Sequence, residues 1–524
     1  MTAFTFMILE KYMSIISNSF FLFVFAGLIL YYYLPKRFQS VVLLLISIAF
    51  YLSYGIIPVI YLIATIFITY IIAIWIENTN RKINDDTFDK AKAKKVTRWI
   101  LILGMILDFG LLGFLKYTNF IIDNVNYFTG NSISHLDLLL PLGISYYIFQ
   151  SVGYMLDVYW KRANAERNIL RFSLFISYFP YMIQGPINRF GNLSTQLNTF
   201  HFFDWKNIRY GVVRILWGLF KKMVLADWAA IFRAAIFANP DKYSGIAIFG
   251  VLLYSVELYG NFSGGIDIVL GVSRMFDIQM EENFKRPFFS VSITDFWHRW
   301  HITLGTWMKD YVFYPLTLSK TMKKCGKGAK KIFGKKTGRN IPICISNIIV
   351  FFIVGIWHGP TWSNILWGLY NGLIIAFSGL AIDLYKKSKD KLHINDKSKG
   401  WHLFTILRTF ALVNLSWYFD CTTSFKDAFT IIKYSVTRFD PSQFLLISAG
   451  KQGTAYTPYA IAILLVGIAV LFTVSVIQEK GHDIQEELAA KPVIFQGALY
   501  GLLLIAVLAL APMASGGGFI YAQF

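Results

Sequence analysis

Val59-Ile60-Tyr61-Leu62-Ile63-Ala64-Thr65-Ile66-Phe67-Ile68-Thr69-Tyr70-Ile71-Ile72-Ala73-Ile74-Trp75-Ile76 contains no Asp, Glu, Lys, Arg or His, and the basic pair Arg81-Lys82 follows it closely. A run of this length approaches the roughly 20 apolar residues an α-helix needs to cross the hydrocarbon core of a bilayer. Lipid offers no hydrogen bonds to a backbone, so a segment that spans it has to satisfy its own amides, which favours helix. Comparable apolar runs cover residues 20–34, 41–52, 348–356, 461–476 and 493–511. With 56% hydrophobic and 15% charged residues over 524 positions, the chain lies outside soluble composition and reads as an all-α polytopic membrane protein.

The formal charge of +20 could suggest nucleic acid, but the basic residues concentrate in short stretches between apolar runs, at 81–98, 320–339 and 386–399. That is the placement expected of cytoplasmic loops under the positive-inside rule, so the charge is assigned to orientation and no nucleic-acid partner is expected. Counting spans back from Arg81 puts Pro35-Lys36-Arg37 on the cytoplasmic side and the N-terminus outside. Counting forward from Lys399 leaves 420–456 outside, 478–491 inside, and the C-terminal Ser515-Gly516-Gly517-Gly518 outside. The expectation is a multi-pass protein of the plasma membrane with both termini extracytoplasmic. Met1-Thr2-Ala3-Phe4-Thr5-Phe6 lacks a basic leader, so no removable signal peptide is expected. Cys325, Cys344 and Cys421 are too scattered to suggest a thiolate metal site or a disulfide framework.

One membrane domain, 1–524, is expected, with N-terminal spans at 1–137, a catalytic core at 138–385 and C-terminal spans at 386–524. Residues 341–382 lie between two basic stretches and must cross and return. They read as a hairpin turning at Trp357-His358-Gly359-Pro360-Thr361, where Gly and Pro break the helix. At about 1.5 Å per helical residue, the approach from Pro342 to Trp357 advances roughly 24 Å, which puts His358 deep and toward the outer leaflet. The core is different in character. Its apolar stretches are cut by Pro141, Pro180, Pro186 and Gly264-Gly265, and they carry Arg189, Arg214, Lys221, Lys222, Glu257, Asp267 and Arg299. Broken, charged helices survive at membrane depth only against protein or a water-filled cavity, so this region is expected to hold the functional centre with re-entrant segments.

The richest chemistry lies in Asp295-Phe296-Trp297-His298-Arg299-Trp300-His301-Ile302-Thr303-Leu304. If this stretch is helical, His298 and His301 share a face, as do Trp297 and Trp300. An interfacial aromatic and basic belt would give a similar composition. A metal site is the weaker reading, because the pair lacks the glutamate and spacing of a zinc-protease helix. Imidazole, with an unperturbed pKa near 6.5, suits acyl transfer: it can take a proton from a hydroxyl and pass it to a leaving group. No Ser or Cys sits in a recognisable nucleophile elbow, so direct transfer assisted by a general base is expected.

The motifs Pro141-Leu142-Gly143-Ile144-Ser145-Tyr146-Tyr147-Ile148-Phe149-Gln150, Gly153-Tyr154, Asp157-Val158-Tyr159, Phe179-Pro180, Gly185-Pro186-Ile187, Gly218-Leu219-Phe220-Lys221-Lys222, Ala226-Asp227, Glu282-Asn283-Phe284 and Pro287-Phe288 run in order along the chain. With 295–304, Gly355-Ile356-Trp357-His358-Gly359 and Phe519-Ile520-Tyr521, they resemble the membrane-bound O-acyltransferase superfamily, in its alginate O-acetyltransferase-like branch. The resemblance implies a ring of transmembrane and re-entrant helices around a thin core, with a cytoplasmic funnel for the acyl donor and an outer funnel for the acceptor. It maps the family histidines onto His301 and His358, with His358 catalytic. Trp297, Arg299, Trp300, Trp357 and Asn261 are the expected substrate-binding residues around them. It further implies acetyl-CoA as donor, an exported or cell-wall polysaccharide as acceptor, surrounding membrane lipid, and an extracytoplasmic esterase-like acetyltransferase as partner. Two departures stand out: His298 occupies a place where the family commonly has arginine, and 260–267 differs from the usual motif. D-alanyl transfer to teichoic acid is the alternative within the superfamily. A polysaccharide or lipid-linked sugar transporter is the alternative of another class, but it leaves both histidine motifs unexplained, and the chain shows no internal repeat.

Overall fold

The apolar runs fold as helices whose ends follow local rules. The computed structural model describes residues 13–84, 89–182, 184–422, 424–444 and 458–512. Residues 1–6, on which the expectation of no signal peptide rests, the stretch 515–518 and the motif 519–521 lie outside the described residues, as do parts of 81–98 and 420–456. The N-terminal helices are α1 (Asn18–Tyr33), α2 (Gln39–Leu52), α3 (Ile56–Asn84) and α4 (Lys90–Thr129). Ser17 caps α1 by accepting from the Phe20 amide at 3.1 Å, and Gly130, at φ 69°, ends α4 in the left-handed conformation that glycine adopts freely.

The core follows with α5 (Ile144–Tyr159), α6 (Ile169–Ser177), α7 (Phe190–Leu197), α8 (Trp205–Leu219), α9 (Asp227–Ala238), α10 (Ala247–Met275), α11 (Ile293–Arg299) and α12 (Ile302–Met308). Pro141, Pro180 and Pro186 fall between the α-helices as expected, but Gly264-Gly265 do not cut a helix. They lie inside the continuous α10, where a Cβ on Gly264 would stand 2.7 Å from the Gly218 carbonyl oxygen of α8, so glycine there permits close helix approach. Phe220–Ala226 and Lys309–Phe313 are π-helical, a local widening often found at functional sites. The chain then forms α13 (Lys320–His358), α14 (Trp362–Leu380), α15 (Ile382–Lys391), α16 (Lys399–Asp420), α17 (Phe425–Thr437), α18 (Pro458–Glu479), α19 (Ile484–Ala489) and α20 (Val493–Leu510).

Six described helices are long and apolar enough to cross a membrane, and the pair α14 and α15, bent by 60°, makes a seventh if counted as one span. Burial sorts them. The apolar window of α10 is 72% buried, whereas those of α18 and α20 are 22% and 11% buried. α10 is therefore the central post, and α18 and α20 present most of their surface outward, where lipid would lie.

The charged residues inserted into the core are paired, as burial demands. Arg214 of α8 contacts Asp267 at 3.0 Å and Glu282 at 2.6 Å, and Lys221 reaches Asp267 at 2.6 Å. Lys222 pairs with Asp227, and Arg233 with Glu257.

Contacts also fix which ends share a side. On one side the Asp440 amide donates to Gly245 at 2.8 Å, Tyr254 donates to Asp420 at 2.8 Å, and the Trp362 indole donates to Asn124 at 2.9 Å. On the other, Glu479 receives Arg286 at 2.5 Å and Arg299 at 2.9 Å. The stretch 320–339 is helical rather than a loop. α13 folds back at Gly334 (φ 77°), so that a Cβ on Gly326 would stand 3.1 Å from the Pro342 ring. Lys is a good helix former, and its charge alone does not distinguish a solvated helix from a loop.

Candidate active site

α13 carries its C-terminal residue, His358, into the interior, and α14 leaves from the same turn. Gly359 is extended, and Thr361 caps α14 by accepting from the Asn364 amide at 3.2 Å. The two helices meet glycine to glycine: a Cβ on Gly355 would lie 3.1 Å from the Gly368 Cα, and one on Gly368 only 2.3 Å from the Phe351 carbonyl oxygen. Small residues at a membrane helix contact permit this backbone approach. His358 is buried, with its ring centroid 4.7 Å from that of Trp367 and 5.0 Å from that of Trp357. Trp367 in turn stacks on Trp417 of α16.

His301 arrives differently from the continuous helix considered above. α11 ends at Arg299, Trp300 is extended, and His301 adopts the left-handed conformation (φ 47°, ψ 52°) before α12 begins. His298 and His301 therefore do not share a helix face: His298 is exposed at the end of α11, whereas His301 is 2% exposed. The cause is a tertiary pairing. Phe284 bridges Trp300 antiparallel, Lys285 donates to the Arg299 carbonyl at 2.9 Å, and Ile302 donates to the Asn283 carbonyl at 3.0 Å. Left-handed backbone at a non-glycine residue costs of order 1–3 kcal/mol and persists only where its surroundings impose it. Asn283 Oδ1 faces His301 Nδ1 at 3.3 Å and accepts from the Thr303 amide and hydroxyl at 3.0 and 2.9 Å.

The Trp357 ring joins the two histidines, with centroids 5.8 Å from His301 and 5.0 Å from His358. Phe262 closes on His301 at 4.9 Å. From α4, Lys116 Nζ donates to the Trp357 carbonyl at 2.5 Å and the Tyr117 hydroxyl to the Ile356 carbonyl at 2.6 Å. The Tyr146 hydroxyl and the Trp357, Trp367 and Trp417 indole nitrogens are buried with no hydrogen-bond partner among the described residues. They give the aromatic cage polar atoms that a polar substrate could engage.

A cavity of about 800 Å³ runs between α11–α12 and the α13–α14 pair, bounded by Gly379 and Ile382 at one end and by His301 at the other. Trp297, His298, Trp300 and Lys309 line it, mostly among apolar side chains. Of the residues expected from sequence, His301, Trp297 and Trp300 thus meet at one cavity, with Trp357 and His358 adjoining His301. Asn261 is buried in α10 one position before Phe262. Arg299 turns to Asp295 at 3.0 Å and to Glu479 and is not part of the cavity wall. Lys116 is a further buried group at the site. Its signal in the sequence is a lone lysine in the apolar run of α4.

Residues 165–413 match the membrane-bound O-acyltransferase family. The chain is 32% identical over 410 residues to the probable alginate O-acetylase AlgI of Pseudomonas syringae pv. tomato, covering 77% of this chain and 71% of that one. It is 30% identical to the peptidoglycan O-acetyltransferase of Helicobacter pylori, over 76% of this chain and 73% of that protein. The teichoic acid D-alanyltransferase of Bacillus subtilis is 27% identical over 54% of this chain and 69% of its own length. Similarity sustained over more than two thirds of this chain and of both O-acetylating relatives identifies the protein as an O-acyltransferase of the membrane-bound O-acyltransferase family.

Proposed function

We propose that this protein O-acetylates an exported or cell-wall polysaccharide, taking acetyl from acetyl-CoA on its lysine-rich, cytoplasmic side and delivering it on the opposite side of the plasma membrane. An extracytoplasmic esterase-like acetyltransferase completes or receives the transfer, and both termini lie outside. The observation that carries this reading is the pair of buried imidazoles, His301 and His358, both packed on the Trp357 ring, with His301 lining the 800 Å³ cavity.

The thioester arm of the donor enters between α11–α12 and α13–α14, with Trp297 and Trp300 along its path, and its carbonyl comes to rest near His301. The acceptor hydroxyl approaches from the side of His358. His358 takes the hydroxyl proton as the oxygen attacks the thioester carbonyl. The tetrahedral intermediate collapses with loss of the coenzyme A thiolate, and the proton passes from the imidazole to that sulfur. The oxygen ester forms, the thioester breaks, and the enzyme returns to its starting protonation state. Because the acceptor oxygen attacks the thioester carbonyl directly, the acyl group is never carried on the protein and no acyl-enzyme forms.

Compositional analysis of the purified surface glycan from a strain lacking the gene tests this function. Loss of ester-linked acetyl from an otherwise normal polymer is expected. Loss of ester-linked D-alanine instead would move the substrate class to the D-alanyl branch, for which the similarity to the Bacillus subtilis protein speaks. Loss of surface polymer, with the residual polymer carrying its normal ester content, would overturn acyl transfer.

A further inference from the structure

Lys116 is the buried cation beside the histidines that proton transfer does not use. An ammonium inside a membrane helix is costly, and such residues seldom persist without a partner or a task. Its Nζ donates to the Trp357 carbonyl at 2.5 Å, and the neighbouring Tyr117 donates to the Ile356 carbonyl at 2.6 Å. Both carbonyls belong to the last turn of α13, where oxygens lose their partners in the helix. Ordinary capping is blocked here, because Gly359 is extended and Pro360 has no amide hydrogen. The negative end of the helix dipole also points at this turn, so a cation is the favoured group to close it. The ammonium also stands 5.9 Å from the centroid of the Trp357 ring, the residue next to His358.

We propose that Lys116 is a positioning residue for acyl transfer: by closing the last turn of α13 through the Trp357 carbonyl, it sets the Trp357 and His358 rings against His301. Tyr117 is the second, weaker point of the same clamp. This rests on His358 as the base. The fold itself has other supports at this place, namely the Gly355–Gly368 contact, the Thr361 cap, and the Trp362 indole on Asn124, which ties α14 to α4. Releasing the clamp therefore frays one turn rather than the hairpin. A displacement of about 1 Å at a reacting group can cost about 10²-fold in rate.

Steady-state acetyl transfer by the full-length protein in detergent or vesicles tests the clamp, with Lys116→Met, Lys116→Arg, Tyr117→Phe and His358→Ala compared with wild type. Lys116→Met is expected to lower kcat by about 10²-fold while the KM for donor and acceptor stay within about twofold and the protein remains monodisperse. Lys116→Arg, which keeps charge and donors, should recover most of the rate. Tyr117→Phe, losing one hydrogen bond worth about 1 kcal/mol, should reduce kcat by about fivefold. A folded Lys116→Met with wild-type kcat, or one altered only in KM, overturns the clamp. Should Lys116→Met fail to fold, an unchanged kcat in Tyr117→Phe overturns it. His358→Ala separates the two ideas: full activity there removes the base assignment, whereas inactive His358→Ala beside fully active Lys116→Met removes the clamp alone.

Discussion

Asn283 Oδ1 sits 3.3 Å from His301 Nδ1 and determines which nitrogen of that ring carries the proton. The Thr303 amide can only donate, and it points at the same Asn283 atom at 3.0 Å, so that atom is the carbonyl oxygen. The Thr303 hydroxyl accepts from the Ile187 amide at 3.0 Å and gives its own proton to Asn283 at 2.9 Å. An oxygen that already accepts twice can only accept again from His301. Nδ1 is therefore the protonated nitrogen, and Nε2 keeps its lone pair. Asn283→Ala should lower transfer by about 10- to 100-fold through loss of ring orientation. It should also lower thermal stability by about 1–3 kcal/mol, because the Thr303 donors lose their acceptor. Asn283→Asp, which keeps an acceptor there, should lose less of both. Transfer rates and melting in detergent check this, and wild-type transfer by Asn283→Ala would show that His301 needs no fixed tautomer.

The contact between α13 and α14 sets a second expectation. Gly368→Ala places a methyl 2.3 Å from the Phe351 carbonyl oxygen, and backbone cannot give way as a flexible side chain would. Gly501→Ala in α20 meets nothing within 4 Å and gains helix propensity. Abundance and melting temperature should fall sharply for Gly368→Ala, with transfer lost because the turn carrying His358 shifts. Gly501→Ala should match or slightly exceed wild type. Equal behaviour of the two variants would contradict the close approach.

Why some of this can be read from sequence and some cannot is a matter of range. The hairpin that delivers His358 follows from local facts: apolar runs on both sides, flanking basic stretches, and Gly359-Pro360 between them. The break at His301 does not, because Asn283 imposes it from 18 residues away through pairing that no periodicity records. Arg299 and the histidines are neighbours in sequence, yet the same break turns Arg299 toward Glu479, a residue on α18. Lys116 is conspicuous as a charge in an apolar helix, but its partner lies 241 positions away. The basic segment 320–339 shows its charge in the sequence, while its doubled-back helix depends on Gly334 and on packing against Pro342.

Orientation is checked by thiol labelling of intact cells, in a background where Cys325, Cys344 and Cys421 are replaced by alanine. Lys330 and Asp440 are both exposed, the first in the lysine-rich half of α13 and the second beside Gly245. An impermeant maleimide should modify Asp440→Cys in intact cells and Lys330→Cys only after permeabilisation, since positive charge is retained on the cytoplasmic side. Ready labelling of Lys330→Cys in intact cells would invert the protein, and with it the sides assigned to donor and acceptor.

His358 bears the sharpest expectation, because base catalysis and structural support predict different losses. A positioned general base contributes about 10²–10⁴-fold in rate, so His358→Ala should lose most acetyl transfer. Its ring meets Trp357 and Trp367, which also pack on His301 and Trp417, so the aromatic cage keeps other contacts when the imidazole is removed. Abundance and monodispersity should therefore stay near wild type. His301→Ala should impair transfer less completely if His301 orients the donor carbonyl while His358 moves the proton. His298→Arg should be tolerated, since His298 is exposed at the cavity wall and arginine is common there in the family it resembles. Acetyl ester formed per unit of folded protein distinguishes the roles. Substantial transfer by well-folded His358→Ala would shift the base to His301, whose Nε2 is the nitrogen that Asn283 leaves free of a proton.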